Sequence, residues 1–227
     1  MVVGDADIST PASLIGDPTR AAFMLALSEA DALPASELAN RAGVTRSTAS
    51  IQLAKLVDGG LLTVEQHGRH RYFALADPAI AAAIESLAVI APRRPATSLK
   101  QARIGSDLQA ARTCYDHLAG ALGVSVFEAL LNERLLTDNL QPTKTGTRRF
   151  AELGIDVDRV ARNRRAFARP CLDWTERRHH LAGALGAALA ARFFELGWIE
   201  RTRESRAIRI TPEGHRQLGK EFGLELD

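Results

Sequence analysis

The sequence predicts a mainly α fold with small β-wings (α+β), and three observations support that class. Residues 34–75 combine two short helical patterns, a glycine turn and a hairpin pattern. Residues 117–123 and 180–186 both read HLAGALG, so the C-terminal half contains a diverged internal repeat. Apolar content is 46% and charged content 25%, an ordinary balance for a globular chain, and 227 residues are ample for sizeable cores.

Two Asp-Pro pairs mark the starts of helices in the N-terminal region. Asp17 is expected to cap a helix whose first residue is Pro18. Asp77-Pro78 repeats the signal and opens an alanine-rich helix. The small residues of this second helix allow a partner helix to approach closely, which predicts a homodimer seam over residues 77–91. The alternative is a helix packed on its own domain.

Between those helices lies a helix-turn-helix pattern. A short helix from Ala35 to Arg41 is followed by Gly43, which can take the positive φ that ends a helix, and by Thr45, which can cap a second helix. Polar positions on the second helix, here called the reading face, are Arg46, Ser47, Thr48, Ser50, Gln52 and Lys55, whereas Ala49, Leu53 and Leu56 point inward. Short polar side chains near the start of such a helix can reach base edges in a major groove.

A hairpin pattern follows the second helix. Gly59-Gly60 end the helix, and strands over residues 61–65 and 71–75 are predicted around a four-residue tip at 66–69. The cationic tip, with His67 and Arg69, is expected to lie against phosphates or enter a minor groove. Helices and hairpin together predict a DNA-reading module.

Charge is concentrated on these elements. Residues 1–90 hold six Lys/Arg and ten Asp/Glu, whereas residues 41–71 hold five positive and two negative side chains. Local basicity on an acidic domain favours a selective operator binder over a general nucleic-acid coat, which relies on many phosphate contacts. The alternative is a protein-interaction adaptor that uses the same helices without binding DNA.

The segments IGDPTRAAFMLAL, SELANRAGVTRSTASIQLAKLVDGGLL and EQHGRHRYFAL resemble the ArsR/SmtB family of winged-helix repressors, over about residues 10–91. The resemblance implies a homodimer on a double-stranded DNA operator, released when a ligand, metal ion or thiol change is sensed. By carry-over, Arg46, Ser47, Thr48, Ser50 and Gln52 read bases, and His67, Arg69 and Arg71 serve the wing. The family's thiolate site lies on the helix that precedes the recognition helix, and in this sequence that helix (Ala35 to Arg41) has no cysteine. The family's alternative site uses Asp and His on the dimerisation helix, and residues 77–90 contain no histidine.

The predicted domains are a winged helix over 1–91, a linker over 92–102 and a sensing or interaction domain over 103–227. The last contains the two copies, 103–156 and 168–227, each predicted to be a degenerate winged-helix-like half with the order helix, helix, strand pair and capped helix. The second HLAGALG segment continues as an almost wholly apolar helix, which predicts burial and argues against a DNA groove as its location.

The chemistry of the second domain centres on Cys114, His117, Cys171 and His180, here called the thiol–imidazole cluster. Cys114 and His117 are expected on one face of a helix, and symmetric packing of the copies would bring Cys171 and His180 close. Two thiolates and two imidazoles suit tetrahedral Zn²⁺. The same cysteines could instead form a thiol pair sensitive to oxidants or electrophiles, lie in a pocket that binds a small molecule, or be small buried hydrophobes with no cofactor.

An enzyme is not expected. Cys171, Asp173 and His179 or His180 supply the residue types of a cysteine nucleophile, but no phosphate loop or metalloprotease signature accompanies them. The sequence contains no apolar run of membrane-spanning length and no signal-peptide pattern, so a cytoplasmic protein with no membrane partner is expected. The function predicted is that of a sequence-specific transcriptional regulator, a dimeric repressor released by a signal sensed in the C-terminal half.

Overall fold

The computed structural model describes residues 6–28, 30, 32–92, 96, 98–202 and 205–225. The chain forms two compact units, which meet in sequence between Ile84 and Glu85. This boundary lies before residue 91, where the sequence pattern placed the end of the first domain. Within the described residues, no helix combines the length and apolar character needed to cross a membrane.

Two helices of the first unit, those that begin at Pro18 and Arg46, start where their capping residues predicted. Its elements up to the hairpin are α1 (Ser9–Ile15), α2 (Pro18–Leu27), β1 (Leu33–Pro34), α3 (Ala35–Ala42) and α4 (Arg46–Asp58). The Asp17 carboxylate accepts hydrogen bonds from the backbone N–H groups of Thr19 and Arg20. Gly43 ends α3 with φ +66°, and the Thr45 hydroxyl accepts from the Thr48 N–H at the start of α4. The predicted helix-turn-helix is therefore present.

The wing is a tighter hairpin than predicted. Its strands are β2 (Leu62–His67) and β3 (His70–Leu75), which pair antiparallel from Leu62↔Leu75 to His67↔His70. Gly68 takes φ +62° and lets a two-residue turn close the tip, so both strands extend beyond their predicted ends. β1 pairs with the free edge of β3 and is itself an edge strand. Pro34 is tolerated there because an edge strand does not need every backbone N–H for pairing. The core beneath contains Phe23, Leu38, Ala49, Leu53, Leu56 and Phe73.

Helix α5 (Pro78–Ile90) follows the wing and continues across the boundary between the units. Ile84 and Glu85 are buried, and a buried ion pair joins Glu85 to Arg206 within the second unit. Leu87 and Ile90 are 45% and 79% exposed. One stripe of α5 is therefore apolar and open to solvent.

The second unit contains the two copies of the repeat. Its elements are α6 (Leu99–Ala110), β4 (Arg112–Cys114), β5 (His117–Ala119), α7 (Gly120–Asn132), α8 (Lys144–Glu152), α9 (Val157–Ala161), β6 (Arg169–Leu172), β7 (His179–Ala182), α10 (Gly183–Glu195), β8 (Ile199–Arg201), β9 (Ile208–Ile210) and α11 (Pro212–Phe222). Helix α6 begins inside the segment predicted as a linker over 92–102. Residues 93–95 and 97 of that segment lie outside the described residues.

The order of elements in each copy differs from the predicted winged-helix-like half. In both copies a short hairpin precedes the long apolar helix, where the prediction had a second helix. In the first copy the expected wing is a single bridge between Leu136 and Pro142, whereas β8 and β9 form a true pair in the second. The mixed α and β class is confirmed, but the winged-helix-like identity of the two halves is not.

The two copies close in the same way. Thr143 and Thr211 each accept a hydrogen bond from the N–H three residues on, at Gly146 and Gly214. A Cβ at either glycine would stand 1.9 Å from a backbone carbonyl oxygen, of Leu135 in the first copy and Trp198 in the second. The shared T-x-x-G pattern therefore has two causes: the threonine caps the helix, and the glycine allows the first turn of the helix to contact the backbone that precedes it.

Each long helix packs against the hairpin of the other copy, α7 on β7 and α10 on β5. A Cβ at Gly123 would lie 3.5 Å from Cβ of His180, and one at Gly186 would lie 3.3 Å from Cβ of His117. The helices are buried, as their composition predicted. This reciprocal packing of helices on hairpins places His117 and His180 side by side, with ring centroids 5.1 Å apart.

Candidate DNA-reading surface and candidate metal centre

Helix α4 presents most of the predicted reading face to solvent. Arg46, Ser50 and Lys55 are exposed. The hydroxyls of Ser47 and Thr48 both lie 2.9 Å from the capping Thr45 hydroxyl, so they are held at the N-terminus of the helix. This is the end from which recognition helices contact base edges.

Two residues of α4 differ from the expectation. Gln52 is half-buried, and its side-chain oxygen accepts a hydrogen bond of 2.8 Å from the Arg20 guanidinium of α2. Ile51 was not predicted to contribute, yet it is 60% exposed on the same helix. Its position between the polar residues was the only sequence signal for it. An apolar side chain there suits a thymine methyl group.

The wing tip is cationic and exposed, as predicted. His67, Arg69 and Arg71 are open to solvent, and His70 joins them opposite His67. The pair between His67 and Glu65, at 3.3 Å, is highly exposed and contributes about 0–1 kcal/mol. The tip therefore presents two arginines and two histidines around one tight turn.

In the second unit the structure brings together all four residues of the thiol–imidazole cluster. Their ligand atoms, two Sγ and two imidazole nitrogens, lie within 4.8 Å of one another, and all four residues are buried. Each copy of the repeat supplies one cysteine and one histidine. The symmetric approach of Cys114 and Cys171 expected from the sequence is present in the structure.

The local structure of the cluster corrects the sequence prediction. Cys114 and His117 do not lie on a helix: they face each other across the β4–β5 hairpin, as Cys171 and His180 do across β6–β7. The first hairpin turns at Tyr115, which adopts φ +59° without a glycine. A positive φ at a tyrosine is rare, so the sequence carried no turn signal at that point.

A carboxylate contacts Nδ1 of each histidine. Nδ1 of His117 lies 3.3 Å from Oδ1 of Asp116, and Nδ1 of His180 lies 3.2 Å from Oδ2 of Asp173. The contact of His180 with Asp173 is at ion-pair distance but lacks hydrogen-bond geometry. Nε2 of both rings is buried, with no hydrogen-bond partner among the described residues. A buried polar atom without a partner costs about 1–3 kcal/mol, so this pair of nitrogens requires an explanation.

Asp173 is the polar centre between the copies. Its Oδ2 accepts hydrogen bonds from the Arg112 guanidinium at 2.9 Å and from the Gly120 N–H at 2.7 Å. Its Oδ1 accepts from the hydroxyl and N–H of Thr175. Burial raises the pKa of Asp173, but the contacts with His180, Arg112 and Thr175 lower it well below its usual range. Sequence reasoning considered this residue only as part of an enzyme-like set.

The thiols are chemically unequal. The hydrogen bond from Cys114 lowers the pKa of Cys171 far below its usual value; burial opposes the shift, and His117 and His180 assist it. The same hydrogen bond, with burial, raises the pKa of Cys114. Burial lowers the pKa of His180, but Asp173 and Cys171 raise it, and the net shift is upward. A proton is therefore held more strongly by the Cys114 thiol than by the Cys171 thiol.

Comparisons with known proteins find a family match within the first unit. A family described as a helix-turn-helix domain matches residues 15–65. HlyU from Vibrio cholerae N16961 matches with TM-score 0.36 and 23% identity, over 38% of this chain and 94% of HlyU. Mb0332 from Mycobacterium bovis, a homodimeric winged helix-turn-helix DNA-binding domain and possible ArsR-family regulator, matches with TM-score 0.33 and 21% identity, over 39% and 89%. Scores this low do not establish a common fold.

A full-length relative identifies the family. The "Uncharacterized HTH-type transcriptional regulator YdfF" of Bacillus subtilis (strain 168) is 44% identical over 223 residues, which are 97% of this chain and 99% of YdfF. The shared sequence therefore includes the second unit as well as the helix-turn-helix. The predicted transcriptional regulator is confirmed: the chain belongs to the HTH-type transcriptional regulators and is not an enzyme.

Proposed function

We propose that this regulator binds double-stranded operator DNA as a homodimer, with α4 in the major groove and the wing tip on the flanking backbone. The observation that supports this best is the capped, solvent-facing N-terminal half of α4, with Arg46 and Ser50 exposed, in the same unit as the cationic hairpin tip. Phosphate contacts from the wing would position the protein, and side chains of α4 would select the sequence.

The exposed stripe of α5 supports the homodimer and its seam over residues 77–91. Leu87 and Ile90 are large, apolar and solvent-exposed on a helix in which five of the thirteen residues are alanine. A two-fold axis along such a helix lets identical stripes cover each other. A symmetric dimer presents two recognition helices, which predicts an operator with two inverted half-sites.

The second unit is the proposed receiver of the signal. Its buried polar centre holds groups that a metal ion, an oxidant or an electrophile would alter, and α5 is tied to it by the Glu85–Arg206 ion pair. A change at the cluster would thereby reach the helix that carries the dimer seam. Release of the operator on such a signal is the behaviour expected of a repressor.

The test is a fluorescence-anisotropy titration of DNA from upstream of the chain's own reading frame, with scrambled DNA of equal length as control. A regulator binds the first more tightly by about 10³-fold or more at physiological salt. Equal, strongly salt-dependent binding to both DNAs would contradict operator recognition.

An interaction adaptor without DNA binding is the second candidate. The observation in its favour is Ile51, an apolar side chain 60% exposed on the reading helix. An adaptor shows no complex with either DNA even at low salt, where electrostatic binding is strongest. The same titration therefore separates the two candidates.

A further inference from the structure

We infer that Cys114, His117, Cys171 and His180 form a binding site for one Zn²⁺-like ion, which joins the two copies of the repeat within the second unit. Each copy contributes one sulfur and one nitrogen, from residues that face each other across its hairpin. The inference does not depend on the proposed DNA binding, because every ligand belongs to the second unit.

The spacing of the ligand atoms fits a tetrahedral ion. Zn–S bonds of about 2.3 Å and Zn–N bonds of about 2.0 Å place the ligand atoms of a tetrahedral site roughly 3.3 to 3.8 Å apart. The four ligand atoms lie within 4.8 Å of one another. Closing the set around an ion therefore requires movements on the order of 1 Å or less, within reach of side-chain rotation.

The histidines are oriented as metal ligands. Asp116 contacts Nδ1 of His117 and Asp173 contacts Nδ1 of His180, at 3.3 and 3.2 Å. A carboxylate that accepts a hydrogen bond from Nδ1 fixes a ring's orientation and leaves Nε2 to donate its lone pair to a metal. For His180 this requires a small adjustment of the ring, because its contact with Asp173 lacks hydrogen-bond geometry. Both Nε2 atoms are buried without a hydrogen-bond partner among the residues described. A bound ion would give both a partner.

The donor set also selects the class of ion. Two thiolates balance the charge of a divalent ion, so the loaded site adds no net charge to a buried location. Sulfur and imidazole donors in tetrahedral geometry favour Zn²⁺ over Mg²⁺ or Ca²⁺, which take oxygen ligands at higher coordination number. A metal binds thiolates and neutral imidazoles, so loading would release to solvent any protons that the four ligand atoms carry.

The ion would act as a cross-link between the copies. Without it, the two hairpins are held together by α7 and α10 and by contacts of Asp173 with Arg112 and Gly120. With it, four bonds of defined geometry join strands β4, β5, β6 and β7. Metal occupancy is thereby linked to the stability of the second unit.

The test uses the full chain, purified under reducing conditions, stripped with a chelator and dialysed against Zn²⁺. Elemental analysis should find about one ion per chain, and Co²⁺ in place of Zn²⁺ should give the visible spectrum of a tetrahedral thiolate site. His180→Gln should lose the ion at equal free zinc. His179→Gln is the matched control, because His179 is exposed on the same strand and lies outside the cluster.

His180→Cys tests whether misfolding explains a loss of zinc in His180→Gln. It replaces one zinc ligand by another, so this variant should keep the ion. The inference is overturned if the reduced wild-type chain takes up no ion, or if His180→Gln and His179→Gln bind equally. It is also overturned if the cysteines are isolated as a disulfide and reduction restores no uptake. None of these readouts involves DNA, so failure of the site and failure of operator binding remain distinguishable.

Discussion

Arg112 and Asp173 form an ion pair of 2.9 Å in which both side chains are fully shielded from solvent. Arg112 belongs to the first hairpin and Asp173 to the loop of the second, so the pair joins the two copies beside the thiol–imidazole cluster. The Arg112 guanidinium also lies over the Trp174 ring, 4.9 Å from its centroid. A buried charge pair tolerates the loss of one partner poorly, because the other charge remains buried.

Asp173→Asn is therefore expected to destabilise the chain by about 3–5 kcal/mol, since it leaves the Arg112 charge unpaired in the interior. Urea unfolding in the presence of chelator, which removes any contribution from metal, measures this effect. Metal affinity should fall by about 10- to 100-fold in the same variant, because Asp173 orients His180.

Asp116→Asn is the matched control. Asp116 contacts His117 as Asp173 contacts His180, but its side chain is 35% exposed and pairs with Arg165, which is 34% exposed. The loss of stability should be about 1 kcal/mol or less, with metal affinity still reduced. Equal destabilisation by both variants would contradict the central role assigned to the Arg112–Asp173 pair.

Gly214→Ala should destabilise the second unit by about 1–3 kcal/mol or more, because the new Cβ meets backbone that cannot give way. That Cβ would stand 1.9 Å from the Trp198 carbonyl oxygen. Gly105→Ala in α6 is the control: nothing lies within 4 Å of its Cβ position. A helix interior without contacts gains about 0.5–1 kcal/mol from this change, so the two variants should shift the urea midpoint in opposite directions.

Base and phosphate contacts of the first unit can be separated by their salt dependence. Arg46→Ala at the start of α4 should cost about 1–3 kcal/mol on the operator and little on scrambled DNA. Arg69→Ala at the wing tip should weaken both complexes and reduce the slope of log K against log salt by about 1. Lys144→Ala, an exposed cation of the second unit, is the control and should change neither. Anisotropy titrations at several salt concentrations give these quantities.

Local signals in the sequence predicted helix ends of the first unit, but neither its long-range contacts nor the hairpins of the second unit. Asp17, Gly43 and Thr45 act on backbone groups within a few residues, so their patterns predicted the helix ends correctly. The Gln52–Arg20 and Arg112–Asp173 contacts join residues 32 and 61 positions apart, and no local pattern specifies them.

The hairpins of the thiol–imidazole cluster were missed for a similar reason. Tyr115 takes a positive φ that tertiary packing must stabilise, and a Cys-x-x-His spacing is compatible with a helix as well as with a two-residue turn. The exact HLAGALG repeat did predict that the four residues would meet. Symmetry between the copies was therefore more informative than the local pattern around either cysteine.

The last prediction concerns the dimer seam. Leu87→Asp and Ile90→Asp place a charge on the exposed stripe of α5, where two copies would bury it without a partner. Each variant should shift the chain from dimer to monomer in light scattering, with circular dichroism and the unfolding midpoint of the monomer little changed. Operator affinity should fall as dimerisation is lost, because a monomer has one recognition helix and reads only one half-site. Leu99→Asp, at a position 92% exposed on α6, should leave the dimer intact, whereas persistence of the dimer in both α5 variants would place the seam elsewhere.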